Sequence, residues 1–206
     1  MTALIEPEKK IVHAFFDCQN LFLSVKQLWP EHKTPDFDPV ALARAVVKNQ
    51  DRWSLKGIHL YTGIHERDKN PQLHTFWTQK LARHKAQDSR VTVFTRPLRY
   101  SGVPDRNYCE RTFFRAREKG IDVRIALDLV RGARLGEYDV AILFSQDQDF
   151  KEVAEEIRAI AHERQRWIKI ASAFPTDDSH RRGIDKTDWI PFSRELYKLC
   201  LDCTSP

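Results

Sequence analysis

Short continuous apolar runs alternate along the chain with segments whose apolar positions recur every three or four residues. Residues 11–16 (IVHAFF), 57–62 (GIHLYT), 91–94, 140–144 (VAILF) and 167–173 have the length and content of strands. The run at 140–144 has no polar interruption, which predicts a strand buried on both faces, as in a parallel sheet. Between the runs, Leu21, Val25 and Leu28 repeat at helical spacing up to Pro30, and Asp38-Pro39 opens a helix with Ala41, Leu42, Ala45 and Val46 on one face. Helices are also predicted over 71–84, with Leu73, Phe76, Trp77 and Leu81 along one side, and over 150–164. A further helix over 122–132 turns Val123, Ala126, Leu127 and Val130 inward. Helical readings also suit 110–118 and the terminal 190–201, whereas Pro97, Gly102 and Pro104 break 96–108 into a loop or small hairpin on the substrate side.

Strands and helices in alternation predict a three-layer α/β/α fold with a mostly parallel central sheet. A chain of 206 residues suits a single domain over 1–206, with its core over about 11–173 and the tail 174–206 packed on or extending it. No apolar run approaches the roughly 20 residues of a membrane span, and the first ten residues lack the apolar core of a secretion signal. A cytoplasmic protein with no membrane partner is expected. Of the four cysteines, Cys200 and Cys203 form a lone C-x-x-C without a second pair, so free thiols are expected rather than zinc or disulfides.

Charge and chemistry change the picture in two places. Residues 80–134 hold 14 Lys and Arg against six Asp and Glu, a net +8 that leaves the remainder of the chain at −3. Tyr100, Tyr108, Phe113 and Phe114 are interleaved with these cations, a composition that suits a tracked phosphate backbone with stacked bases. Separately, the strand at 140–144 runs through Ser145 into Asp147 and Asp149, and the strand at 11–16 runs into Asp17 and Asn20. Ligands of open α/β sheets bind beyond the carboxyl ends of strands. If the two strands are parallel neighbours, Asp17, Asp147 and Asp149 converge on one edge. Crowded carboxylates repel, and a hard cation with oxygen ligands removes the repulsion. Helix capping alone also explains any single one of these acids. Asp122 opens a helix, and Asp128 lies six residues on, 240° around the axis, so it contributes from the side by orienting a basic residue.

The phrases FFDCQN (15–20), KGIDVRIALD (119–128) and YDVAILFSQDQDF (138–150) resemble the NYN domain family in its LabA-like branch, relatives of the PIN-domain nucleases. The likeness extends over roughly 11–173, and RRGIDKTDWIPF in the tail is similar to the same branch. One departure is Gln146, where the family carries a small residue, often Gly. Gln resists backbone conformations that Gly permits, which predicts a differently shaped turn.

The resemblance implies a metal-dependent ribonuclease fold that hydrolyses RNA phosphodiester bonds. Asp17, Asp122, Asp147 and Asp149 would be the catalytic acids and the ligands of Mg²⁺ or Mn²⁺, supported by Asn20, Ser145 and Asp128. Arg96, Arg99, Arg106, Arg115 and Arg124 would carry the RNA, and a homodimer is compatible. Two alternatives stand beside this reading. A phosphatase that uses an Asp after its first strand needs a second acid two residues on, and Gln19 stands there. A nucleic-acid-binding module of the same fold, with weak or no turnover, remains open.

Overall fold

The computed structural model describes residues 4–104, 112–177 and 181–202. Its centre is a six-stranded sheet in which every paired neighbour is parallel, in the order β3-β2-β1-β6-β7-β8. These strands are β1 (Lys10–Asp17), β2 (Trp53–Ile64), β3 (Val91–Pro97), β6 (Val140–Phe144), β7 (Lys169–Pro175) and β8 (Asp188–Phe192). A separate antiparallel hairpin, β4 (Arg99–Pro104) with β5 (Thr112–Arg117), follows β3. The three-layer, mostly parallel α/β expectation is met.

Strand order fixes where a site belongs. The chain starts at β1, steps outward through β2 and β3, then returns to the other side of β1 and steps outward through β6, β7 and β8. Right-handed crossovers put the helices of the two directions on opposite faces. Accordingly α1 (Cys18–Leu28), α2 (Pro39–Lys48) and α3 (Pro71–Gln87) bury Leu21, Val25, Leu42, Val46 and Leu81 in one core, against Val12, Phe16, Val140 and Phe144. On the other face α4 (Ile121–Leu135) and α5 (Lys151–Glu163) bury Ile125, Leu129, Ile157 and Ile160 against Phe15, Ala141 and Leu143. Alternate residues of β1 and β6 thus serve the two cores, and all five residues of β6 are buried. Directions reverse between β1 and β6, which leaves a crevice beyond their carboxyl ends.

Several local expectations are corrected. Residues 112–117 form strand β5, not a helix. In α4 the inward stripe is Ile121, Ile125, Leu129 and Ala133; Ala126 and Val130 are partly buried, whereas Val123 and Leu127 are 56% and 62% exposed. In α3 only Leu81 of the expected apolar side enters the core, and Leu73 is exposed. The tail is not one helix: Asp188–Phe192 extends the sheet as β8, and the short α6 (Arg194–Lys198) delivers Tyr197 to the core beside Trp29 and Phe192. Cys18 and Cys200 are free thiols, and Cys109 and Cys203 lie outside the described residues. Among the described residues no helix is long and apolar enough to cross a membrane.

Candidate functional site

At the reversal point the end of β1 and the turn after β6 are stitched together by polar side chains. Asp17 is the last residue of β1 and caps α1, its Oδ1 accepting from the Asn20 amide at 3.1 Å. The Ser145 hydroxyl, 1% exposed, donates to Asp17 Oδ2 at 3.3 Å and accepts from the Asp147 amide at 3.2 Å. Asn20 Oδ1 in turn accepts from the Gln146 amide at 2.9 Å. Asp147 caps the single 3-10 turn Gln148–Phe150 through a 3.1 Å bond from the Asp149 amide. These acids do serve as caps, but capping leaves most of their lone pairs unused.

The Gln146 turn needs no glycine, because Gln146 does not adopt a positive φ. Its side-chain amide donates to the Arg182 carbonyl at 2.8 Å, and Gln148 donates to the Gly183 carbonyl at 3.0 Å. The turn is therefore tied to the β7–β8 connection by side chains a glycine would lack.

A third segment closes the crevice. Glu118, directly after β5, brings its carboxylate to the Gly63 amide and to the Thr62 hydroxyl at the end of β2. Gly63 is required there, since a Cβ would meet Glu118 Cγ at 2.7 Å and Leu98 Cδ2 at 2.4 Å. The chain then turns through Gly120, whose φ of 74° favours glycine, and enters α4 at Ile121 and Asp122. Asp17, Gln19, Asn20, Glu118, Lys119, Asp122 and Asp147 together line a hollow of about 360 Å³.

Its electrostatics are those of crowded acids. Burial pushes the Asp17 carboxyl up to about 6, and the charges of Asp147 and Asp122 add to this against the bonds from Asn20 and Ser145. Burial likewise raises Glu118 to about 7, with Asp17 and Asp122 contributing. The donor set is oxygen, as a hard cation requires. Among the described residues no three acidic, histidine or cysteine side chains form a ready-made metal cage. Mg²⁺ suits such a site, because it keeps several waters and takes one or two carboxylates. Asp17 and Asp147, both bonded to Ser145 at the edge of the hollow, are the residues that could hold such an ion.

The remaining expected residues fall elsewhere. Asp149 is exposed on the 3-10 turn and does not line the hollow. Asp128 accepts from the Tyr61 hydroxyl at 2.9 Å and from Arg124 Nε at 2.8 Å, so it does orient a basic residue. Arg124 stacks over Phe94 at 4.6 Å and lines a different hollow beside His59 and Arg131. Arg96 and Arg99 line a cleft of about 880 Å³ with Lys69, Tyr100 and Lys119, and Lys119 also borders the acidic hollow. Arg115 sits in β5 opposite Ser101, and Arg106 lies outside the described residues. Glu118 and Lys119 were not among the expected site residues. Their signal was available: Glu118 is a third acid at the carboxyl end of a strand, hidden by reading 110–118 as helix.

No curated protein matches this chain. Among solved structures it is similar to VPA0982, a protein of unknown function from Vibrio parahaemolyticus, at 18% identity and a TM-score of 0.54, over 93% of this chain and 98% of the other. That likeness concerns the fold. The NYN domain matches residues 12–164, from β1 into the end of α5, and so includes Asp17, Asp122 and Asp147. The chain belongs to the NYN domain family, whose fold is of the PIN-like nuclease type.

Proposed function

We propose that this protein is a divalent-cation-dependent ribonuclease that hydrolyses phosphodiester bonds in RNA. The observation that carries the reading is the meeting of Asp17, Glu118, Asp122 and Asp147 around one hollow at the reversal point of a parallel sheet, bordered by a cationic cleft. Asp17 and Asp147 would hold the ion, with Asp122 contributing through water. Mg²⁺ or Mn²⁺, when bound, supplies an activated water and stabilises charge on the phosphate.

The chain's own residues do the rest. Ser145 and Asn20 fix the Asp17 carboxylate, and the Asp147 cap fixes the turn. Glu118, which lines the same hollow as Asp17 and Asp147, would accept a proton from the attacking water as a general base. Lys119 faces both the acids and the cleft, where it meets the phosphate entering from Arg96 and Arg99.

Purified protein incubated with labelled single-stranded RNA and Mn²⁺ should cleave it. Chelator should stop the reaction, and Asp147→Asn should lower the rate by about 10² or more. Cleavage by Asp147→Asn equal to wild type would mean a contaminant and remove the assignment. A binding module without turnover is the second reading, since the cationic cleft serves RNA binding whether or not the acids act. Metal-independent RNA binding with no cleavage would select it.

A further inference from the structure

Beside the acidic hollow, on the α1–α3 face of the sheet, lies a second cavity of about 240 Å³ that the proposed chemistry does not use. Gln19 and Glu118 border both spaces, and Leu98 borders both this cavity and the cationic cleft. The cavity therefore adjoins both the acids and the cationic cleft. Its walls are apolar and aromatic: Phe22, Phe37, Trp77, Leu60 and Leu81. Phe22 and Trp77 are only partly buried, so their rings retain exposed surface. The volume falls below the roughly 300–1,000 Å³ of sites for drug-sized ligands, and suits one planar heterocycle.

The lining also holds polar residues. His84 borders the cavity, but both its ring nitrogens are shut away from accessible space, Nε2 lying 3.8 Å from Asp202 Oδ2. Thr62 and Glu118 bring a hydroxyl and a carboxyl group to the lining. Aromatic faces with a few convergent donors and acceptors are what an unstacked base requires.

We infer that this cavity receives one nucleobase of the RNA, flipped out of the strand next to the phosphate held at the acids, with Trp77 and Phe22 against the ring. The inference rests on the ribonuclease reading and deepens it. The pocket makes cleavage depend on a base being present beside the cut.

The test uses the full chain carrying Asp147→Asn in Mg²⁺, so that RNA is bound and not consumed. A single-stranded RNA nonamer is compared with nonamers bearing one abasic site at each position in turn. Loss of the base at one position should weaken binding roughly 5- to 100-fold, while other positions change less than about threefold. Adding Trp77→Ala should abolish that positional difference, and Phe22→Ala, which also leaves the core intact, should reduce it. Abasic sites that are all equivalent, or a positional loss unchanged by both variants, would overturn the pocket and leave the ribonuclease reading standing. Failure of the intact nonamer to bind at all overturns both. Free nucleoside monophosphates form the last arm: binding as tight as that of the nonamer, lost in Trp77→Ala, would make the pocket a site for small nucleotides and not for RNA.

Discussion

Asp17 carries a charge that the fold alone does not welcome. Its carboxyl is buried and raised from 3.8 to about 6, a difference worth about 3 kcal/mol. An acid with a raised folded pKa contributes stability that is fully present below the unfolded value and lost as pH rises through the folded one. His13, His59, His65 and His84 run the other way, since burial lowers their pKa values and their contribution is lost as pH falls through 6.5. The clean measurement is therefore the difference between wild type and Asp17→Asn, both free of metal. Asn retains the cap, so the variant should melt higher than wild type at pH 8, by up to about 3 kcal/mol, with the gain vanishing near pH 4. Adding Mg²⁺ at pH 8 should raise the melting temperature of wild type only. An equal response of both proteins to Mg²⁺ would place the ion elsewhere. Gln146 gives the opposite case of a residue without penalty. Because its φ is not positive, Gln146→Gly gains no needed conformation and loses the tie to Arg182. It should destabilise by about 0.5–1 kcal/mol in thermal melts and leave RNA cleavage no faster.

At the level of elements, Gly120 decides where α4 starts and so where Lys119 and Asp122 point. Its positive φ, and Arg96 Nη1 only 2.5 Å from the position a Cβ would take, make Gly120→Ala costly. We expect about 1–2 kcal/mol lost in denaturant unfolding and a fall in cleavage larger than a stability change alone explains. Unaltered cleavage would show that this turn does not aim the acids. Much of this architecture was legible: β6 announced itself by five uninterrupted apolar residues, and the acids at the ends of β1 and β6 by having no role in packing. What was not legible has physical causes. α4 has apolar residues on two faces, Ile121-Ile125-Leu129 and Val123-Leu127, and periodicity cannot tell which one a sheet will cover. β5 pairs only with β4 and stands outside the main sheet, so it carries no continuous apolar run, and its charged residues read as a helix. That misreading hid Glu118. β8 is short and interrupted by Pro191, which edge strands tolerate.

For the molecule as a whole, the question is whether its uneven charge binds RNA or only keeps the protein dispersed. A net +5 spread evenly would do little, but the structure gathers Lys69, Arg96, Arg99 and Lys119 along one cleft that opens onto acids. If these four cations each neutralise one phosphate, the logarithm of RNA affinity should fall with the logarithm of salt concentration with a slope of roughly −3, at about 0.7 per contact on single strands. Arg99→Gln should make that slope shallower by about 0.7 and weaken binding similarly for every RNA sequence, since a phosphate contact carries no base information. Arg124→Gln, whose guanidinium is committed to Asp128 and Phe94, should leave the slope unchanged. The measurement is a salt titration of RNA affinity in the Asp147→Asn background at fixed Mg²⁺. A slope near zero, or one that Arg124→Gln alters and Arg99→Gln does not, would move the RNA path away from the cleft and onto the α4 face.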